Sequence, residues 1–404
     1  MISLEAALGI IRSSVPLLGV EKVPLAKAAG RVLVQDLRAR TQSPLFDHSS
    51  MDGYAVCSRD TARSSIRHPA RLELVGRIEA GDAGKLRLER GEAIRILTGA
   101  PLPRGADAVV MQELVDARDK EIWLSAPVAA RQNVRFAGAD VRAGSALLEK
   151  GRSLSGREIA LLASQGYSRI PVVRQVRASV VVTGSEIKGP QAALRAGQIR
   201  NANGPGLAAA LGRAGALVRD FGIVPDQPAA MRRVLRRALA GADLLLVSGG
   251  VSVGDKDLTR AILEDLGFRT RFWKVAVRPG KPLLFGMKGR TAVFGLPGNP
   301  VSAWVCCEEF VRPAMDRMLG RIPSPAGRWP LKGCAENDFH VDSGRRQFAF
   351  CRILPGSGEI RLRLIGPHDS GRLAEACRAD ALALIPAGAR QVRAGAILPF
   401  RLIE

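Results

Sequence analysis

Between residues 178 and 320 the apolar pattern changes period repeatedly, and this constrains the fold more than any other feature. "ASVVVT" is a continuous β-branched run, "NGPGLAAALGRAG" carries its apolar residues at helical spacing with Pro205 near its first turn, and "ALVRDFGIV" returns to strand texture. "DQPAAMRRVLRRALAG" then reads as a helix with Asp226 as its cap, Pro228 in its first turn and Gly241 beyond its end. "DLLLVS", "LTRAILEDLG", "RFWKVAV" and "VSAWVCCEEFVRPAMDRML" continue as strand, helix, strand and closing helix. Strand and helix taking turns predicts a parallel sheet with helices on both faces.

The flanks differ in texture. At 404 residues the chain exceeds one hydrophobic core, which predicts at least three domains. Before residue 178, strand-like pieces such as "GRVLVQDL", "RLELVGRI" and "EAIRILTG" are broken by Gly and Pro and predict a β-rich domain. "SGREIALLASQG" is a capped helix, with Ser155 and Glu158 at capping-box spacing and Gly166 at the stop. After the linker "GRIPSPAGRWP", the tail from about residue 330 reads as short strands that fit a small β-barrel.

Several function classes are disfavoured. No apolar run approaches the roughly 18 to 20 residues of a membrane helix, and the N-terminus has no cleavage-type signal region, so a cytoplasmic protein is expected. Six scattered cysteines without a CxxC, and four histidines elsewhere, predict reduced thiols and no zinc cage. The net charge of +22 raises the question of nucleic acid. The basic residues, mostly arginine, run from end to end without aromatic interleaving, which argues against that partner. The arginines of "MRRVLRRAL" read as a solvated helix face. An anionic small molecule would gain from the same field.

Ligands of an open parallel sheet bind at the carboxyl ends of its strands, so "TGSE" and "SGGVSVGDKD" are expected to share one crevice. The glycine-rich segment with Ser248, Gly249, Gly250, Ser252 and Gly254 predicts a nest of backbone N–H groups suited to phosphate oxygens. Asp257 at its end either caps the next helix or holds a divalent cation. "VRPGKP" presents Arg278 and Lys281 around a turn, and "GLPGNPVS" places Pro297 before a helix that Pro300 opens, leaving N–H groups that favour an anion.

Five motifs, "SSMDGYAV", "ILTGAPLPRGADAVV", "SGGVSVGDKD", "WKVAVRPGKP" and "GLPGNPVS", occur in one order nearly end to end. Together they resemble the MoeA family, the molybdopterin molybdenumtransferases, whose animal and plant members include the gephyrin E domain and its counterpart. The resemblance implies a multidomain α/β plus β fold and a working homodimer. Its expected parts are an elongated linking domain (1–24 and 136–174), a β-rich N-terminal lobe (25–135), a three-layer α/β molybdopterin-binding domain (175–325) and a C-terminal β-barrel (326–404). It implies a reaction in which adenylylated molybdopterin and molybdate become molybdenum cofactor, with Mg²⁺-assisted release of AMP. Transient contacts with molybdopterin adenylyltransferase and molybdoenzyme apo-proteins are implied as well.

Carried over residue by residue, the resemblance makes Asp52 and Thr98 active-site residues contributed by the partner subunit, with Asp140 on the same face. Glu186 and Asp257 become the acids near pterin and metal; Lys274, Arg278, Lys281 and Ser302 the pterin-phosphate and molybdate region; Ser370 a C-terminal serine of the site. The chemistry agrees: a phosphoanhydride needs carboxylates for Mg²⁺ and cations for departing charge, and molybdate needs Lys, Arg, hydroxyls and N–H groups. The chain departs from the family at Ser185, Asn201 and Gln227, where acids are usual, and at Phe350, where an arginine often lies, while Arg345 remains. Those losses leave a second reading open, a non-catalytic paralogue that binds or carries the cofactor.

Overall fold

The computed structural model describes residues 1–404 except 84, 251–257, 324–326, 342–343, 357, 367–371 and 404. The chain forms two compact units, one of residues 36–149 and 160–168, the other of residues 1–35, 150–159 and 169–404.

The smaller unit is built on a six-stranded sheet in the order Ala108–Met111, Gly53–Val56, Glu92–Ile96, Ala70–Ile78, Glu121–Leu124, Asp116–Arg118. Alternation sends Tyr54 and Val56 into a cluster with Leu72, Val110 and Ile122, while Ala55 joins Ile78, Ile94 and Val109 on the other face. Strand Gly53–Val56 is therefore buried on both sides. Its glycine is required by close approach, because a Cβ there would stand 1.9 Å from the Val110 carbonyl oxygen.

The larger unit contains a six-stranded mixed sheet in the order Leu217–Val224, Arg177–Thr183, Leu244–Ser248, Thr291–Leu296, Leu284–Lys288, Arg269–Trp273. The first four strands are parallel, Leu284–Lys288 runs against both of its neighbours, and Arg269–Trp273 points with the first four, which corrects the all-parallel expectation. The short apolar piece at 284–288 lies between two turns, and the alternating pattern gave no separate signal for it. Period-2 packing makes three layers: Ala178, Val180, Leu244 and Leu246 face helix Asn203–Arg213, while Val181, Leu245 and Val247 face helices Pro228–Leu239 and Leu258–Asp265. Each such buried Val or Leu side chain is worth about 1.5–3 kcal/mol of burial.

Strand Arg269–Trp273 ends where Lys274 turns to φ +69°, so "RFWKVAV" is a strand, a turn and the two-residue strand Val277–Arg278 rather than one strand. The closing helix begins at Pro300 as expected, passes through a π-helical turn at Cys307–Val311 and continues as Arg312–Met318.

The C-terminal strands close into a five-stranded barrel, Arg346–Leu354, Arg361–Leu364, Leu331–Ala335, Ile397–Leu402 and Ala381–Ile385, the last pairing back to the first. Its core holds Ala349, Cys351, Leu362, Ala383 and Phe400. Phe350 faces outward from that core and packs on Trp304 with ring centroids 5.7 Å apart. The cysteines of the closing helix are structural: burial pushes the Cys307 thiol up to about 12 and Cys306 higher still, far from the thiolate a metal or an electrophile requires. No helix among the described residues is long and apolar enough to cross a membrane.

Candidate active site

The chain leaves strand Arg177–Thr183 toward one neighbour and, after Leu217–Val224 and a helix on the opposite face, arrives at Leu244–Ser248 on its other side. Such a reversal opens a crevice at the carboxyl ends of the two central strands. A cavity of about 690 Å³ lies there, lined by Thr183, Gly184 and Glu186, by Gly249 and Gly250, and by Pro297 to Pro300 with Ser302. "TGSE" and the described start of "SGGVSVGDKD", Gly249 and Gly250, share this crevice as expected. That volume falls within the roughly 300–1,000 Å³ of small-molecule sites.

The glycine turn is forced by its neighbours. Gly249 and Gly250 have φ +98° and +66°, and a Cβ at Gly249 would come 2.3 Å from the Thr183 carbonyl oxygen. Ser248 beneath it is 1% exposed; its hydroxyl donates to the Pro297 carbonyl at 3.3 Å and accepts from Asn203 Nδ2 at 2.7 Å. Asn203 also donates to the Gly298 carbonyl at 2.8 Å. Ser248 therefore ties the Pro297–Gly298 loop to the sheet, whereas Gly249, Gly250, Pro297 and Ser302 present the crevice wall.

Asp226 does not cap its helix. The cap position is Gln227, without a side-chain bond, because the Asp226 carboxylate accepts from the Ser185 N–H at 3.1 Å and its own N–H donates to Ser185 Oγ at 3.2 Å. This exchange joins two strand-end loops and places Asp226 beside Glu186 in the crevice wall. Sequence reasoning missed Asp226 as a crevice residue, although the rule that pointed to "TGSE" applies equally to the acid ending "GIVPD". Asn201 accepts from the Gly204 N–H at 2.9 Å and so caps the start of the next helix.

The cations lie in two groups. Val277–Arg278 pairs in parallel with Arg346–Gln347, and Arg345 Nη1 donates to the Val277 carbonyl at 3.1 Å. Burial, and then the neighbouring Arg278 guanidinium, hold the Arg345 pKa below its ordinary value. An oxyanion between the two guanidinium groups would relieve that repulsion. Lys274, half-buried, sets its Nζ 3.8 Å from the Trp273 ring centroid. Lys281 is exposed, and its carbonyl accepts from the Val275 and Leu283 N–H groups, which fixes the turn. These four cations do not line the 690 Å³ crevice. Ser252, Gly254, Asp257 and Ser370 lie outside the described residues.

In the smaller unit, Asp52 Oδ1 accepts from both the Thr98 N–H and the Thr98 hydroxyl, each at 2.7 Å. The Thr98 hydroxyl, then its N–H, hold the Asp52 carboxyl below its usual pKa, with Arg95 assisting. Asp52 is exposed and stays an anion. Asp140 is likewise exposed, in a loop where its N–H donates to the Ser43 carbonyl at 2.9 Å.

With this fold and crevice the comparisons with known proteins agree. Residues 2–166 match the MoeA N-terminal region (domain I and II), 179–317 a probable molybdopterin binding domain, and 332–403 the MoeA C-terminal region (domain IV). The chain belongs to the MoeA family. Among its curated relatives, the molybdopterin molybdenumtransferase of Bacillus subtilis is 34% identical over 392 residues, covering 95% of this chain and 90% of the relative. The enzyme of the same name from Synechococcus elongatus is 39% identical over 332 residues, 80% of this chain and 82% of the relative. The solved molybdopterin biosynthesis MoeA protein of Pyrococcus horikoshii superposes with a TM-score of 0.84 at 28% identity, with 100% of both chains covered.

Proposed function

We propose that the chain acts in molybdenum cofactor biosynthesis as a cytoplasmic, homodimeric transferase. It would take adenylylated molybdopterin and molybdate, release AMP, and leave molybdenum on the pterin dithiolene. The observation that carries this reading is the convergence of "TGSE", the Gly249–Gly250 turn and "GLPGNPVS" on one crevice. At the positive-φ turn the Gly250 N–H is offered to phosphoryl oxygens, the Gly249 N–H being held by the Leu296 carbonyl, and Ile187 and Ile199 on the same wall offer apolar surface to a flat ring system.

Mg²⁺ fits the donor set. Among the described residues no three His, Cys, Asp or Glu side chains gather as a closed cage, and the crevice wall carries two carboxylates, Glu186 and Asp226. Mg²⁺ is commonly held by one or two carboxylates together with substrate phosphates. Glu186 would hold it, with Asp257 as the second ligand that the sequence supplies. When bound, the ion neutralises charge developing on the departing phosphate. Asp226 holds the Ser185 loop in place so that Glu186 faces the ligand, the glycine turn binds the anhydride's oxygens, and Arg278, Arg345, Lys274 and Lys281 attract molybdate and pterin phosphate. Asp52, Thr98 and Asp140 are proposed to complete the site from the partner subunit, and the four-part division with boundaries at 24, 135, 174 and 325 is proposed with it.

AMP release from adenylylated molybdopterin, measured with and without molybdate and Mg²⁺, tests the proposal. Release that needs both establishes the transferase. Tight pterin binding without release overturns it in favour of a carrier, the reading that Ser185, Asn201 and Gln227 leave open.

A further inference from the structure

Two buried hydroxyls flank the glycine turn without a partner among the described residues. Thr183, which ends the strand Arg177–Thr183, is 2% exposed, and Thr259, in the first turn of helix Leu258–Asp265, is 0% exposed. Neither Oγ1 has a hydrogen-bond partner among the described residues. Both residues line the crevice. A Cβ on Gly250 would stand 2.3 Å from Thr259 Oγ1 and 3.2 Å from Thr183 Oγ1, and one on Gly249 would stand 2.9 Å from Thr183 Oγ1. The two oxygens thus flank the same short piece of side-chain-free backbone.

A buried hydroxyl left unpaired is costly, and native structures keep few of them, chiefly where a ligand or function accounts for the cost. The surroundings indicate which ligand. Beside the hydroxyls stands the Gly250 N–H of the positive-φ turn, while the Gly249 N–H is bonded to the Leu296 carbonyl at 3.1 Å, so three donors face the same place and suit an oxyanion.

We propose that Thr183 and Thr259 are a ligand-recognition pair, whose hydroxyls donate to phosphoryl oxygens of a phosphoanhydride seated over Gly249 and Gly250. The pair deepens the reading given above and rests on it only for the presence of a phosphoanhydride in the crevice. Its role is binding: the hydroxyls hold oxygens that stay on phosphorus, and no bond is made or broken at them.

The test uses the full chain with inorganic pyrophosphate as probe, and the variants Thr183→Val, Thr259→Val, the double variant and Thr259→Ser. Valine keeps the shape and removes the hydroxyl; serine keeps the hydroxyl. Without pyrophosphate, the valine variants are expected to unfold at the wild-type temperature or above it, because a methyl group replaces an unpaired hydroxyl. Pyrophosphate raises the unfolding temperature of the wild type and of Thr259→Ser, and this shift is lost in the double variant, with the dissociation constant rising about tenfold for each hydroxyl removed.

A valine variant that unfolds below the wild type without probe overturns the proposal, since its hydroxyl was then already bonded within the chain. An unchanged pyrophosphate shift in the double variant, or no shift in the wild type, overturns it as well. So does a loss confined to Mg²⁺ binding, which would make the hydroxyls cation ligands. Pyrophosphate binding that depends on the hydroxyls in a protein that never releases AMP sinks the transferase reading and leaves the pair standing. AMP release with pyrophosphate binding indifferent to the hydroxyls does the reverse.

Discussion

The corner at Asp52 and the corner at Glu186 and Asp226 use similar residues in different ways. In the smaller unit one carboxylate oxygen takes two donors from a single residue, Thr98, and both oxygens remain at the surface of an exposed side chain. In the larger unit Asp226 is bound to Ser185 by a reciprocal exchange that ties one strand-end loop to the next, and Glu186 stands beside them in the crevice wall. The first corner fixes an anion at one point. The second fixes the relation between two loops and leaves one acid to the ligand.

The largest effect is therefore expected at Glu186. Glu186→Gln keeps size and loses charge, and it should lower kcat/KM for AMP release by about 10²–10³-fold, the range seen when one preorganised electrostatic group is removed. Pyrophosphate binding at the glycine turn should survive. An activity within a few-fold of wild type would transfer the metal role away from this corner.

Asp52→Asn should cost somewhat less, about 10–100-fold, the usual range when a supporting group of a metal or phosphate site is changed. Co-expressing it with Glu186→Gln sharpens the contrast between the two units. If the units act together across a dimer, half of the dimers are mixed and each mixed dimer has one intact site of two, giving about one quarter of wild-type activity. Activity no higher than that of the weaker variants would place both acids within one subunit. Because Asp52 is held below its ordinary value near 3.8, its charge and the activity that depends on it should persist to lower pH than a free aspartate allows.

A smaller change is expected at Ser185. In Ser185→Asp the new carboxylate still accepts from the Asp226 N–H but crowds Asp226 and Glu186 with negative charge. Divalent-ion affinity follows ligand charge count, so the Mg²⁺ concentration for half-maximal AMP release should fall about 3–10-fold. An unchanged Mg²⁺ requirement would show that this corner holds loops together and takes no part in metal binding.

The difference between the corners also explains what could be read in advance. The alternation of strand and helix, the glycine turn, the Pro300 helix start and the crevice were legible because each depends on local periodicity or on strand-end geometry. Asp226 was misread because an aspartate two residues before a proline in a helical pattern has the look of a cap, and only the tertiary approach of Ser185 redirects it. The strand Leu284–Lys288 was missed for a related reason: a five-residue apolar run between two turns carries no period long enough to register, and its antiparallel pairing is decided by its neighbours. Thr183 and Thr259 gave no signal at all, since an unpaired hydroxyl is a property of three-dimensional surroundings. Lys274 shows the limit of pattern from the other side, because its left-handed φ breaks what reads as one strand.

Glu158 offers a control in which an acid serves structure alone. It accepts from the Ser155 N–H at 2.8 Å, from the Ser155 hydroxyl, and from Arg152 Nη2 at 2.7 Å, the capping box that the sequence predicted with an arginine added. The Ser155 hydroxyl first, then Arg152, lower its pKa from 4.5 to about 2. The folded state therefore binds this proton more weakly than the unfolded chain does. The stability that follows is complete above about pH 4.5 and is lost as the pH falls toward about 2. Glu158→Gln should leave AMP release at neutral pH near wild type and flatten the acid limb of an unfolding curve over that window. A flattened limb accompanied by lost activity would mean that this helix start also positions the site, and the division between acids that act on ligands and acids that hold the chain would then have to be drawn elsewhere.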